Sequence, residues 1–204
     1  MKLKVCGMKY EDNIAEIAAF QPDFLGFIFY SKSPRYFEGK IPKLSNRIKK
    51  VGVFVDAPLE DVINTIKEHQ LDAVQLHGHE TPEYCAKIQH QSVEIIKVFS
   101  IKDEFDFNVL EPYEDVCDYF LFDTKGKQPG GNGYTFNWDV LTNYSSTKPY
   151  FLSGGIGLSE LEKLKEFKTS EASKYCYAID VNSKFELEPG RKNRNELEQF
   201  RHEL

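Results

Sequence analysis

Eight short runs of apolar, largely β-branched or aromatic residues recur along the chain, with starts roughly 20–30 residues apart. They are Leu3–Cys6, Phe24–Phe29, Lys50–Val55, Ala73–Leu76, Ile95–Phe99, Tyr119–Asp123, Tyr150–Ser153 and Tyr177–Val181. Continuous apolar runs bounded by turn residues mark strands buried on both faces. Helical patterns fall between them. Asp12 reads as the cap of a first helix with Ile14, Ile17 and Ala18 on one face. Pro58 opens a third, carrying Val62, Ile63 and Ile66. Thr81-Pro82-Glu83 reads as an N-cap followed by an N1 proline, starting a helix through about Ile88. Ser159 precedes Leu161 and Leu164, and Leu197 and Phe200 mark the last helix; the fifth slot, around Asp103–Leu110, is weak. This is the rhythm of βα units. Eight of them point to an α/β protein of the (β/α)8 TIM-barrel class, a single domain over residues 1–204 and near the minimum length for its kind. An open doubly wound sheet is the runner-up, which alternation alone does not exclude.

Charge and cysteine usage narrow the function classes. The chain has 26 basic and 32 acidic residues and a formal charge of −6, which opposes non-specific binding to nucleic acid or an anionic membrane. Its longest basic run, Arg47-Ile48-Lys49-Lys50, reads as a solvated helix end. Met1-Lys2-Leu3-Lys4-Val5 holds no apolar signal core, and no stretch approaches the ~20 apolar residues of a membrane span, so a cytoplasmic protein is expected. Cys6, Cys85, Cys117 and Cys176 form no CxxC pair, which argues against a disulfide framework or a zinc site. Cys6 stands apart because it ends an apolar strand and precedes a glycine.

In parallel βα proteins functional groups gather where strands hand over to the following loops. Those junctions are polar or glycine-rich here: Cys6-Gly7, Ser33-Pro34-Arg35, His77-Gly78, Asp123-Thr124, Ser153-Gly154-Gly155 and Asp180-Val181-Asn182-Ser183. Gly154 and Gly155 let backbone approach an anion without a Cβ in the way. Asn182 and Ser183 are placed to begin a short helical turn whose free N–H groups face the same anion. Loops 7 and 8 of a barrel often cradle a phosphate together. A further cluster, Gly130-Gly131-Asn132-Gly133, precedes Asn137, a candidate N-cap; it reads equally as a lid over the site or a plain surface loop. Asp123 ends an apolar strand, where unpaired burial is costly, so a role in the site is favoured. His77-Gly78-His79-Glu80 invites a metal reading, but His77 and His79 point apart on a strand end and lack a third ligand. A pocket-lining His77 and an exposed His79 are expected instead.

Taken in order, Lys4-Val5-Cys6-Gly7-Met8, Ser33-Pro34-Arg35-Tyr36, Val53-Phe54-Val55-Asp56, Val74-Gln75-Leu76-His77-Gly78, Phe122-Asp123-Thr124, Gly130-Gly131-Asn132-Gly133, Phe136-Asn137-Trp138, Leu152-Ser153-Gly154-Gly155-Ile156 and Asp180-Val181-Asn182-Ser183 resemble the phosphoribosylanthranilate isomerase family over nearly the whole chain. The resemblance implies a (β/α)8 barrel that performs an Amadori rearrangement in tryptophan biosynthesis, with no metal or organic cofactor. It assigns Cys6 as general base and Asp123 as general acid. Arg35 falls to the anthranilate carboxylate, and Gly154, Gly155, Asn182 and Ser183 to the phosphate, while His77 lines the pocket. Asn132, Asn137, Lys184 and Phe185 depart from the family's common residues, and Lys184 bears on the phosphate contacts.

The chemistry sets a difficulty. At neutral pH a free thiol of pKa ~8.5 is about 3% thiolate and a free aspartic acid of pKa ~3.9 about 0.1% protonated, so the productive pair is rare. Burial is expected to raise Asp123, and a nearby positive charge to lower Cys6. Strand alternation puts Lys4 on the face of Cys6, one layer deeper. Lys4 either supports the thiolate or pairs with a buried carboxylate. Competing readings are an isomerase of histidine biosynthesis, which has aspartate where Cys6 stands, a metal-dependent epimerase, and a non-catalytic phosphate-binding barrel. The expected partner is a small phosphosugar-anthranilate. A monomer is favoured over a homodimer, with Phe37 and Phe105 as candidate exposed apolar residues.

Overall fold

The computed structural model describes residues 1–102, 104–124 and 135–204. Eight parallel strands close into a barrel in chain order: β1 Lys2–Val5, β2 Phe24–Ile28, β3 Lys49–Phe54, β4 Ala73–Leu76, β5 Glu94–Ile101, β6 Tyr119–Thr124, β7 Tyr150–Leu152 and β8 Cys176–Val181. Pairing of β1 with β8 completes the cylinder and leaves no open edge. Each expected run lies on a strand, because side chains buried on both faces leave an uninterrupted apolar signal. The open doubly wound alternative is thereby excluded.

Helices α1 Glu11–Ala18, α2 Leu59–His69, α3 Pro82–Gln89, α4 Leu161–Thr169 and α5 Arg194–Glu203 pack on the outside. Ile14, Ile17, Val62, Ile66, Cys85, Ile88, Leu164, Phe167, Leu197 and Phe200 are their buried faces. Thr81 caps α3 through its side chain, which accepts from Tyr84 N–H, with Pro82 in the first turn. Asp12 is not a cap. Tyr10 holds that position in extended conformation, and Asp12 lies in the first turn, paired with Arg191 at 2.8 Å.

Not every unit has an α-helix. Between β2 and β3, residues 31–48 contain none, since Gly39 and Pro42 interrupt what would be its length. Pro58 therefore precedes the second α-helix, not the third. Phe37 fills the vacant position against Phe27 and Phe29, with ring centroids 5.1 and 6.0 Å away. It is buried, not an exposed patch residue, and Phe105 is half-buried against Phe99, Phe107 and Phe122. Among the described residues of units five and six the helical elements are 3-10 turns, Phe107–Tyr113 with Pro112 inside it and Trp138–Asn143 capped by Asn137.

Alternation along each strand sends every second side chain into the barrel. Deep in the barrel this interior is apolar, built from Phe24, Val51, Ala73, Ile96, Val98, Leu121, Phe151 and Ala178. Towards the C-terminal strand ends the same alternation brings in Gln75, His77, Asp123 and Asp180. Lys4 is in register with Asp180 across β1 and β8, so both sit at one level inside. Beyond β8 the chain forms an antiparallel ribbon, β9 Glu186–Glu188 and β10 Arg191–Lys192, before α5.

Candidate active site

A cleft opens at the C-terminal rim of the barrel. Cys6, Arg35, His77, Asp123, Gly154, Gly155, Asn182 and Ser183 all line it, so the structure brings these expected site residues together. Gly130, Gly131 and Gly133 lie outside the described residues. His79 is exposed and turned to Asp56.

Cys6 follows β1 directly. Its N–H donates to Val181 O at 2.9 Å, which extends the β1–β8 ladder and fixes where the thiol points. Gly26 on β2 makes the space: a Cβ there would stand 2.8 Å from Cys6 Sγ. Gly7, at φ +76, turns the chain away next to Asn182.

The electrostatics of Cys6 differ from expectation. Burial pushes its thiol above the ordinary value; Lys4 and Lys192 pull it down, Asp180 pushes it up, and burial prevails. Lys4 pairs with the buried carboxylate while its charge also favours the Cys6 thiolate. Its Nζ is 2.7 Å from Asp180 Oδ1, and Ser153 Oγ donates to Asp180 Oδ2 at 3.2 Å. Burial works against the Lys4 charge, but Asp180 and Cys6 outweigh it and hold Lys4 above its ordinary value.

Asp123 is held from two sides. Thr124 N–H donates to its Oδ1 at 3.0 Å, and His77 Nε2 lies 3.4 Å from its Oδ2. Gln75 Nε2 donates to His77 Nδ1 at 3.2 Å. In a neutral ring that leaves the proton on Nε2, facing the carboxylate. Gln75 is buried in the cleft wall, and its Oε1 has no hydrogen-bond partner among the described residues.

Arg35 is anchored by its Nε and Nη2 edge, which grips Glu186 at 2.8, 3.1 and 2.7 Å. A guanidinium has five donors, so the rest of the fork remains for the cleft. Glu186 also accepts from Lys192 Nζ at 2.6 Å, and the same ammonium donates to Asn182 Oδ1 at 2.6 Å. The Lys192 side chain is wholly buried, and burial brings its pKa down to about 8. Burial opposes the Glu186 charge, but Arg35 and Lys192 prevail and hold that carboxyl below its ordinary value.

Loop 7 supplies the backbone surface. Gly154 and Gly155 have φ of +94 and +70, which side-chain-bearing residues rarely adopt. A Cβ on Gly154 would come within 2.6 Å of Thr124 N. Loop 8 continues as a 3-10 turn, Ser183–Phe185, preceded by Asn182. The Asn182 side chain is turned to Lys192 and Gly7, and Asn182, Ser183 and Lys184 all border the cleft.

Sequence reasoning passed over Gln75 as a contact residue and missed Asp180, Glu186 and Lys192 as site residues. The signal for Lys192 is weak, since Glu186-Leu187-Glu188-Pro189-Gly190-Arg191-Lys192 looks like a solvated charged run. Ribbon alternation alone turns Lys192 inward and leaves Arg191 half-exposed.

A thiol, a carboxylate, an arginine and a glycine loop lining one cleft at the C-terminal rim of a closed parallel barrel define the class: a (β/α)8-barrel enzyme. Comparison with known proteins then narrows it. The family model described as N-(5'phosphoribosyl)anthranilate (PRA) isomerase matches residues 3–203. An N-(5'-phosphoribosyl)anthranilate isomerase of Parabacteroides distasonis is 40% identical, covering 98% of this chain and 91% of its own. The phosphoribosyl anthranilate isomerase structure from Thermotoga maritima superposes with a TM-score of 0.84 at 30% identity, over 100% of this chain and 98% of that one. Another structure of this enzyme, in complex with reduced 1-(o-carboxyphenylamino)-1-deoxyribulose 5-phosphate, has a TM-score of 0.77 and 26% identity, covering 98% and 96%. The chain belongs to the N-(5'-phosphoribosyl)anthranilate isomerase family and is thus an isomerase of tryptophan biosynthesis.

Proposed function

We propose that this chain converts N-(5-phosphoribosyl)anthranilate to 1-(2-carboxyphenylamino)-1-deoxyribulose 5-phosphate, with Cys6 as general base and Asp123 as general acid. The observation that carries this reading is their shared cleft, bordered by Arg35 on one side and Gly154-Gly155 on the other. The related structure holding a reduced form of that product supports the choice of ligand.

Asp123 gives its proton to the ring oxygen as the C1′–O bond breaks, and the anilino nitrogen lone pair closes a C=N bond. The Cys6 thiolate then takes the C2′ proton, and the electrons left behind neutralise the iminium as an enolamine. Net transfer of a proton from the C2′ hydroxyl to C1′ gives the ketone. Proton transfers of this kind need one acid and one base. Since burial disfavours the Cys6 thiolate, each unit of upward displacement lowers the resting thiolate fraction tenfold. The iminium cation offsets this at the step that needs the base. The free side of Arg35 takes the anthranilate carboxylate, loops 7 and 8 the phosphate, and Gln75 Oε1 accepts from a ribose hydroxyl. The reaction of a phosphorylated intermediate goes with a cytoplasmic location, and the four thiols are all free.

The test follows anthranilate-type fluorescence as purified protein meets fresh substrate. The signal is expected to fall with wild type and to stay constant with Cys6→Ala or Asp123→Asn, each folded as judged by circular dichroism. Near-wild-type turnover in either variant refutes its assignment.

A further inference from the structure

We propose that Lys192, a buried lysine on the ribbon after β8, is the cation whose support of the Cys6 thiolate is left uncancelled, acting from behind the cleft without touching substrate. The inference rests on the reading of Cys6 as the base.

Two charged groups of residues surround the thiol. On the barrel side Lys4 faces Asp180 at 2.7 Å; Lys4 favours the thiolate more strongly than Lys192 does, but Asp180 opposes it. On the ribbon side Arg35, Glu186 and Lys192 form a chain, with Glu186 between two cations at 2.7 and 2.6 Å. Two positive charges against one negative leave a surplus of one beside Cys6. Arg35 is engaged by Glu186 and directed at the cleft mouth, whereas Lys192 is fully enclosed. Its ammonium is held by Glu186 Oε1 and Asn182 Oδ1, and its backbone by Asn13, whose Oδ1 accepts from Lys192 N–H at 2.7 Å and whose Nδ2 donates to Lys192 O at 3.0 Å. Burying an ammonium this completely is costly unless something requires its charge. Glu186 has Arg35 as a second cation and does not require Lys192 for its own neutralisation. The charge of Lys192 acts on Cys6, whose thiolate it favours, and the thiolate acts back on the ammonium in the same sense.

Lys4 responds differently to removal. Asp180 is buried with Lys4 as its cation, so Lys4→Met leaves a carboxylate that takes up a proton and restores the local balance. Lys192→Met leaves Glu186 ionised on Arg35, and the positive surplus disappears. Lys192 is thus a positioning residue for a proton, and its location at the base of loop 8 ties the thiol to the phosphate-side loop through Asn182.

The experiment reads Cys6 directly, without turnover. Alkylation by iodoacetamide is followed between pH 6 and 8.5, and modified Cys6 peptide is quantified by mass spectrometry so that the other thiols do not contribute. Lys192→Met is expected to raise the apparent pKa of Cys6 by at least about half a unit, seen as at least a roughly threefold slower reaction at pH 7.5. Lys192→Arg keeps the charge in a slot it overfills, and is expected to stay within about twofold of wild type; a packing role would rank Met above Arg. Lys192→Gln replaces Met if that variant does not fold. A neutral variant within twofold of wild type, or an arginine variant as slow as the neutral one, overturns the proposal. Inactive Cys6→Ala together with unmoved alkylation sinks this inference alone, while active Cys6→Ala sinks the reading beneath it.

Discussion

Lys97 on β5 and Glu80, in the turn between β4 and α3, form an ion pair whose side chains are 3% and 1% exposed, at 3.0 Å. Lys97 Nζ also donates to Leu76 O at 3.2 Å and Gly78 O at 2.8 Å, while Glu80 accepts from the N–H groups of Asp56 and Gly78. This network fixes the turn that carries His77. Replacing Lys97 by Met removes the cation and keeps the bulk. A carboxylate is then left buried without a counter-charge, a change that costs about 3–5 kcal/mol when one partner of a buried pair is lost. The backbone bonds to Glu80 persist, which places the expected loss at the lower part of that range, roughly 3 kcal/mol. A domain of this length loses ~2–4 °C in Tm for each kcal/mol, giving a drop of about 6–12 °C. The assay is thermal and urea unfolding at pH 7, with Glu80→Gln and the double variant alongside. In the double variant no unpaired charge remains, so it is expected to lose less than the two single losses together. A Tm for Lys97→Met within about 2 °C of wild type, or additive losses in the double variant, refutes the reasoning.

Further expectations concern the cleft. Arg35→Lys loses the forked geometry that grips Glu186 and a substrate carboxylate together; one charge-assisted bond of ~1.5–3 kcal/mol predicts KM rising roughly 10- to 100-fold with a smaller fall in kcat, and steady-state kinetics showing the reverse split reject that role. Gly154→Ala places a Cβ against Thr124 N in a backbone region with φ of +94, so inhibition by inorganic phosphate is expected to weaken at least about tenfold; an unchanged Ki removes loop 7 from the phosphate site. In the pH profile Cys6 must lose a proton while Asp123 keeps one, so kcat/KM is expected to be flat across neutral pH. Because the Cys6 pKa is displaced upward, its own alkaline limb lies high; loss of the Lys192 proton near pH 8 removes support first, so activity declines from about there. A profile still rising through pH 9 contradicts this sign.

What the sequence revealed follows burial. Ala73–Leu76 was readable to the residue because it is apolar on both faces, and Thr81-Pro82 because its cap is local chemistry. Asp12 misled because an acidic residue in the first turn resembles a cap one step away. The absence of a helix between β2 and β3 was hidden by the strand rhythm, although Gly39 and Pro42 were visible. At the site, residues on strand ends could be placed by alternation, and Cys6, His77 and Asp123 line the expected cleft. Partners could not: whether Lys4 met Asp180 or served the thiol alone depended on the register of β1 with β8, which no local pattern encodes. Glu186 and Lys192 depended on the ribbon folding back under the rim.

The charge distribution explains how a chain with a formal charge of −6 can present a cationic cleft to a substrate with two acidic groups. Within the barrel Lys4 and Asp180 cancel, and so do Lys97 and Glu80 near the rim. Pairing of this kind prevents deep charges from setting the potential at the mouth, since opposite charges in contact have little field beyond a few ångströms in a screened medium. What remains is the surplus of the Arg35–Glu186–Lys192 chain with Lys184 at the border, set against Asp123. In the proposed mechanism Asp123 donates a proton; when it carries that proton the opposing charge vanishes and the cleft becomes more positive. Protonation of the acid and binding of the substrate anions then favour one another, because loss of the carboxylate charge leaves more of the cationic surplus for the substrate, whereas thiolate formation competes with the bound anions for the same cations. Substrate binding therefore favours the acid half of the rare protonation state, while the thiolate forms against the bound anions and depends on the iminium cation that ring opening creates.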